Sequence, residues 1–447
     1  MSIKIYYVSL GCDKNLVDSE VMLGMMNEEG YVITSDEQAA DIIIVNTCSF
    51  IHDAKEESIE TILEMAQYKE TANCKGLIVV GCLTERYKEE LMAEMPEVDG
   101  ILGTSNYDEI ITTIKKVLEK EKVISFKDIN YSPTAYMNRM SDTTTGYAYL
   151  KIAEGCNNNC TYCIIPQLRG NIRSRSMESL IEEAKYLVKQ GKKELILVAQ
   201  DTTKYGIDLY KEKKLPELIK ALCKIEDLEW IRLLYCYPED ITDELIEVIR
   251  TQRKVMNYID IPIQHINDDI LSSMARRSNK KTIIGVLSRL RQQIPNICIR
   301  STLIVGFPGE TKEQFEELRE FVQEYKIDRL GVFTYSLEEG TIAATMEGQI
   351  KESVKKARKE ELMVIQQNIS HEKNKSLLGE TLDVMIEGYL PEEKVYCGRS
   401  YMDAPNVDGV VFVGCEFELL TGQIVKVQVE EASEYDLIGV IKDEHSK

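Results

Sequence analysis

The chain has 447 residues, room for two to four domains at roughly 100–200 residues each. Its 44% hydrophobic share excludes a disordered protein, and no run of ~18 apolar residues is present to cross a membrane. The formal net charge of -21 sets the surface against nucleic-acid phosphates unless a local basic groove exists, and favours a basic partner.

The first stretches alternate between two patterns. "IKIYYVSLG", "ADIIIVNTC", "KGLIVVGC" and "GILG" are β-branched runs, and each is followed by an amphipathic helical stretch. That rhythm predicts βαβ units and an open parallel sheet. Residues 121–145 break it with the polar, turn-rich "SPTAYMNRMSDTTTG", which reads as a linker. A second alternating series comes next, with strand candidates at 147–153, 194–199, 229–235, 257–261, 297–304 and 328–335. Six βα repeats are too few for a closed eight-stranded barrel, so a partial, open (β/α)6 barrel is expected. A charged helix is expected over 351–375, its charges mostly a solvated face, with the option of bracing the last domain. The last ~70 residues carry alternating stretches separated by glycines, the pattern of a small antiparallel β-barrel of OB-like type. The fold class is therefore α/β, with domains expected at 1–125, 140–372 and 376–445.

Twelve cysteines without a secretory signal point to metal or redox sites in a reducing cytoplasm rather than to disulfides. Only four histidines (His52, His265, His371, His445) leave little for a His-rich site. The stretch "EGCNNNCTYCII" holds Cys156, Cys160 and Cys163 in a C-x3-C-x2-C spacing, just past a predicted strand. Three thiolates can hold three irons of a cubane 4Fe-4S cluster and leave the fourth iron open to a small molecule. A zinc site completed by a ligand from elsewhere, or simple packing, is the alternative. Cys12, Cys48 and Cys82 each end a predicted strand of the N-terminal series, where the parallel sheet would gather them at one edge. They form a candidate second cluster site. Cys74 precedes its strand and is expected at the opposite edge. With Cys223, Cys236, Cys298, Cys397, Cys415 and Trp230, it is read as a packing residue.

The Cys156 loop resembles the signature of the radical S-adenosylmethionine (SAM) superfamily, with Tyr162 as the aromatic before the third cysteine. The resemblance implies that an electron from the cluster cleaves SAM, giving a radical able to take hydrogen from an unactivated carbon. It also suggests where SAM is lined, at the later strand ends. Gln200 and Asp201 end "LVAQDT", and Gln264 and His265 end "IDIPIQH". Gly306, Phe307, Gly309 and Glu310 lie in "GFPGE", with Arg300 and Thr302 on the strand before it. Pro308–Gly309 as a turn and Thr311 as a helix cap is the plainer reading of that last segment. Arg169, Arg173 and Arg175 in "RGNIRSRS" could recognise an anionic group or be surface charge.

Two open thiolate triplets in this order, followed by a small β-barrel, resemble the methylthiotransferase family over nearly the whole chain. That implies two 4Fe-4S clusters, SAM, a radical SAM domain and a C-terminal TRAM domain. It further implies an electron donor such as flavodoxin or ferredoxin, and a sulfur donor. "SLGCDKNLVDSE" and "GRSYMDAPNVDG" look like the subfamily that modifies the β-carbon of an aspartate in a small-subunit ribosomal protein, uS12, free or within the ribosome. Asp13 departs from the proline common there. Residues 379–447 hold fifteen Asp and Glu against five Lys and Arg, a net of -10. Such a terminal barrel should repel RNA and attract a basic ribosomal protein. The alternatives are a tRNA adenosine methylthiotransferase with the same chemistry, or a non-catalytic metal-binding module that docks on ribosomes.

Overall fold

The computed structural model describes residues 2–131, 139–142 and 144–442. Positions 132–138 and 143 of the predicted linker, and 443–445 of the predicted last domain, lie outside them. The chain forms two compact units. The first comprises Met1–Ser141, Ala153–Arg175 and Ser336–Ala344; the second comprises Asp142–Ile152, Ser176–Tyr335 and Thr345–Lys447.

The first unit is built on six parallel strands: β1 (Lys4–Ser9), β2 (Val32–Thr34), β3 (Ile42–Thr47), β4 (Gly76–Gly81), β5 (Gly100–Leu102) and β6 (Val123–Ser125). Their order is β2-β1-β3-β4-β5-β6. Every residue of "IIIVNT" and "GLIVVG" is buried, as central parallel strands covered on both faces require. Side chains alternate between two cores. Ile42, Ile44, Ile78 and Val80 pack with Val21, Met22 and Met26 of helix Asp13–Glu28. Ile43, Val45, Leu77 and Val79 pack with Ile62 and Leu83. Sequence patterning found four of the six strands. The two it missed are three-residue edge strands, too short to show a period. One of them, β6, falls inside the stretch read as linker: Val123 is buried in the core, and β6 pairs with β5.

The second unit begins with β7 (Tyr147–Lys151). The chain then contributes β8 (Ala153–Glu154) and β9 (Arg173–Ser174), an antiparallel pair, to the first unit. It returns as β10 (Glu194–Val198), β11 (Trp230–Leu233), β12 (Val255–Gln264), β13 (Cys298–Val305) and β14 (Arg329–Thr334). These strands pair in chain order, β14-β13-β12-β11-β10-β7, all parallel, as one open six-stranded sheet. All six C-terminal ends therefore fall on one edge, the edge where such folds bind ligands.

Helix Glu352–Lys375 does more than present a solvated face. Leu362 and Ile369 are buried, Gln366 donates to the Ile327 carbonyl at 3.0 Å, and Asn374 donates to the Ser433 carbonyl at 3.2 Å. It thereby braces a closed barrel of β15 (Thr381–Leu390), β16 (Val395–Arg399), β17 (Val411–Gly414), β18 (Ile424–Ala432) and β19 (Leu437–Ile441). The end of β16 and the segment between β16 and β17 are fastened to the early residues of the parallel strands. Glu194, at the start of β10, lies 2.7 Å from Arg232 and 2.7 Å from Arg399. Arg329 meets Asp403 at 2.7 Å, and Tyr258 donates to Asp408 at 2.7 Å.

Candidate functional site

In the first unit, β1, β3 and β4 deliver Cys12, Cys48 and Cys82 to the same sheet edge. Cys12 precedes helix Asp13–Glu28, Cys48 follows β3, and Cys82 opens helix Cys82–Tyr87 directly after β4. Close approach there depends on two glycines. Gly11 has φ +89°, and a Cβ on it would stand 2.8 Å from the Cys48 Cβ. Gly81 has φ +102°, and a Cβ would stand 2.6 Å from the Thr47 carbonyl oxygen. Polar links fix the three turns. The Asn15 side chain donates to the Thr47 carbonyl at 2.9 Å, the Asn46 side chain donates to the Asn15 carbonyl at 3.0 Å, and the Cys48 N–H donates to Ser58 Oγ at 3.1 Å.

Cys12 is exposed, while Cys48 and Cys82 are buried. Burial pushes the Cys48 thiol up, and raises the Cys82 thiol to about 12 against the opposing pull of Arg169. Cys48 and Cys12 each add repulsion to a Cys82 thiolate.

The second triplet lies on a loop whose base is closed by the β8–β9 pair. Gly155, at φ +79°, would bring a Cβ into the Asn171 carbonyl, and the Cys156 N–H donates to the Gly170 carbonyl at 3.0 Å. The Asn158 N–H points at Cys156 Sγ, 3.5 Å away, and Cys163 N–H donates to the Cys160 carbonyl at 3.0 Å. Cys156 and Cys160 are buried, while Tyr162 and Cys163 are half-buried. Cys82 packs against Ile164 and Leu168 from the helix that follows this loop.

Among the described residues, no three such side chains stand as a preformed metal cage. The donor sets nevertheless fit iron–sulfur clusters: each triplet offers three thiols on backbone held by tight turns, and the first has a buried cation beside it. That cation is Arg169. Burial opposes its charge, but Cys82, Glu154 and Asp18 outweigh burial and hold the guanidinium protonated. Arg173 and Arg175 are half-buried.

In the second unit, the strand-end residues divide. Gln200, Asp201, Gln264, His265 and the "GFPGE" turn all follow or end parallel strands at the C-terminal edge. Asp201 is buried and accepts from Thr203 Oγ1 at 2.5 Å. Gln264 adopts φ +70° and its Oε1 is buried without a hydrogen-bond partner among the described residues. Gly306 has φ +73°, and a Cβ there would collide with the Lys355 side chain. Glu310 is fully buried: its Oε2 accepts from the Gly306 and Phe307 N–H groups, and Oε1 lies 3.2 Å from Arg358 and 4.0 Å from His265 Nε2. Phe307 packs edge-to-face on Tyr335. Gly309 has φ +79° and open space around it. Thr311 caps helix Lys312–Tyr325 in a capping box. Arg300 stands apart from this set. It is engaged by Asp260 at 3.1 Å and Asp408 at 3.3 Å, early on β13, and is not brought to the C-terminal edge.

Sequence reasoning missed three contributors. Asn15 and Asp18 lie inside "SLGCDKNLVDSE" but were given no role there, and Ser336–Ala344 had no pattern. That segment is a strap. Glu338 lies 2.9 Å from both Lys55 and Arg86, and Ala343 N–H donates to the Thr161 carbonyl at 2.8 Å.

Three family profiles match the chain: "Uncharacterized protein family UPF0004" over residues 4–103, "Radical SAM superfamily" over 150–322 and "TRAM domain" over 378–441. The chain is 57% identical to the ribosomal protein uS12 methylthiotransferase RimO of Lachnoclostridium phytofermentans, covering 98% of this chain and 99% of that one. It is 51% identical to the protein of the same name from Clostridium botulinum, over 100% and 99% of the two chains. Among solved structures it is similar to the radical SAM methyltransferase TsrM of Kitasatospora setae, with a TM-score of 0.55, 12% identity and 75% of each chain covered. That last likeness concerns the fold alone.

Proposed function

The chain belongs to the RimO family of radical SAM methylthiotransferases, and from that premise we propose that it inserts a methylthio group at the β-carbon of an aspartate in ribosomal protein uS12. The observation that carries this reading is the gathering of Cys12, Cys48 and Cys82 at one edge of the N-terminal sheet, in a chain that also bears the Cys156 loop. A single triplet suits many radical enzymes; the second is what suits sulfur insertion.

Radical SAM chemistry uses a 4Fe-4S cluster and SAM. In our reading Cys156, Cys160 and Cys163 hold that cluster, with Tyr162 beside it, and Cys12, Cys48 and Cys82 hold a second. When bound, the clusters and SAM supply the hydrogen abstraction, the sulfur and the methyl group. The protein's part is to keep three thiols of each set on fixed turns and to exclude water from Cys48, Cys82, Cys156 and Cys160, all buried. On the second unit's strand edge, Gln200, Asp201, Gln264, His265, Gly306, Phe307, Gly309 and Glu310 are assigned to SAM, directly or by holding the turn. Arg300 is left to the ion pairs with Asp260 and Asp408. We place the functional domains at 1–125, 140–372 and 376–445, the last a TRAM module that recruits the basic substrate protein. An electron donor such as flavodoxin or ferredoxin and a sulfur donor complete the partners. No described helix is long and apolar enough to cross a membrane, and we assign the cytoplasm.

The tRNA alternative is not favoured: relatives at 50–57% identity over nearly the full length are named for the ribosomal protein. Mass spectrometry of uS12 and of tRNA from a strain lacking this gene tests the reading. Loss of the methylthio mark from uS12 is expected, and loss from tRNA alone would overturn it. Anaerobic reconstitution is expected to give about eight irons per chain, four per cluster.

A further inference from the structure

Arg169 ends the short helix Ile165–Arg169, six residues beyond Cys163. It is 3% exposed. Its guanidinium touches four residues on three elements at once. Nη1 donates to Asp18 at 2.7 Å and to Glu154 at 3.2 Å. Nη2 donates to Asn15 Oδ1 and to Cys82 Sγ, the latter at 3.5 Å. Asp18 and Asn15 belong to the helix that starts just after Cys12, Cys82 opens its own helix, and Glu154 leads into the Cys156 loop. Asn15 in turn holds the Thr47 carbonyl, next to Cys48.

One side chain thus links the turns of both triplets, and it does so from a position fixed by the second. Its own helix is tied to the N-terminal sheet by Thr104 Oγ1, which donates to the Leu168 carbonyl at 2.6 Å. The planar fork of arginine meets these acceptors together, and a lysine would serve only some of them. Hydrogen bonds to cluster sulfurs, and nearby charge, set how readily an iron–sulfur cluster accepts an electron.

We propose that Arg169 is the positioning residue that joins the two thiol triplets and, through its hydrogen bond to Cys82 Sγ, raises the reduction potential of the cluster held by Cys12, Cys48 and Cys82. The proposal rests on the two-cluster reading above. A donated hydrogen bond and a buried positive charge favour the reduced, more negative cluster. Losing both lowers its potential. The strap Ser336–Ala344 holds the same pieces by separate contacts, through Glu338, Gly340 and Ala343. Removing Arg169 therefore does not by itself dismantle the unit.

The test uses the full chain with Cys156, Cys160 and Cys163 all changed to alanine, reconstituted anaerobically with iron and sulfide. Iron content and an EPR-monitored redox titration are read. About four irons are expected in this parent. A parent without iron would overturn the two-cluster reading itself. Arg169→Gln is expected to shift the midpoint to lower potential, and Arg169→Lys to give a smaller downward shift. A parent with about four irons and an unchanged midpoint in Arg169→Gln overturns the role of Arg169 alone. If Arg169→Gln takes up no cluster, Arg169→Lys carries the test: a lowered midpoint supports the proposal and the parent's midpoint refutes it.

Discussion

Glu194→Ala probes how the C-terminal β-barrel is held to the parallel strands. Glu194 is fully buried, with one oxygen 2.7 Å from Arg232 and the other 2.7 Å from Arg399. Arg232 also donates to the Tyr401 carbonyl at 2.6 Å, and Arg399 to the Asp403 carbonyl at 2.9 Å and to Glu387 at 2.6 Å. Removing the carboxylate strands two guanidiniums at sites 0% and 2% exposed. Breaking a buried pair from one side costs about 3–5 kcal/mol, because the partner stays desolvated and unpaired. Arg399 keeps Glu387 and Arg232 keeps its carbonyls, so the lower half of that range applies. With a urea m-value of about 3 kcal/mol/M, the unfolding midpoint should fall by about 1 M.

Trp230 makes the assay specific. It is the chain's single tryptophan, is 6% exposed, and sits opposite Glu194 in the β10–β11 register. Its fluorescence therefore reports on the strands that carry the network. A midpoint shift below about 0.3 M, worth about 1 kcal/mol at that slope, would refute the claim that these ions weld the β-barrel to the strands.

Three further outcomes are expected. Gly81→Ala forces φ +102° on a residue whose Cβ would run into Asn46 Oδ1; reconstituted iron should drop from about eight to about four per chain, while Cys74→Ala leaves it unchanged. Cys156→Ala should abolish deoxyadenosine formation from SAM under reducing conditions, measured by chromatography; continued cleavage would remove that cysteine from the radical site. Burial alone would raise the Glu194 carboxyl, but Arg232 and Arg399 outweigh it and hold its pKa below the usual value. The stabilisation is therefore present above the unfolded carboxylate pKa of about 4.3 and is lost as pH falls through the folded value. The wild-type Trp230 transition should weaken on acidification below about pH 4, and Glu194→Ala should show less of that dependence.

The parts of this molecule visible in the sequence are those written in local periodicity. β3, β4 and the six strands of the second sheet are each long enough to show an apolar run, and the ends of β3, β4, β10, β12 and β13 lead into the residues singled out from the sequence. Cys12, Cys48 and Cys82 could be grouped because parallel sheets put all C-terminal ends on one edge. The edge strands β2 and β6, three residues each, carry no period, so β6 was hidden in a polar stretch. Arg300, grouped with the strand-end residues from its spacing to Thr302, lies early on β13 instead. Alternation says which face a residue takes, but not how far along the strand the ligand lies. Arg169 could be noticed but not explained, since its partners Asn15, Asp18 and Cys82 are 154, 151 and 87 positions away.

The buried network also bears on the substrate. An acidic C-terminal domain argues for a basic partner only if its charge faces solvent. Of the fifteen acids and five bases in residues 379–447, Glu387, Asp403, Asp408 and Arg399 are engaged with the parallel strands or with one another. Among the described residues of that stretch, ten acids against three bases remain outside that network. The ion pairs that hold the β-barrel in place thus consume three acids and one base, and the excess acidity of the described residues is left outside them. A surface of that sign repels phosphate backbones and steers a cationic protein inward. Raising ionic strength should therefore weaken capture of uS12 by this chain, whereas a surface built for tRNA would have to be basic first.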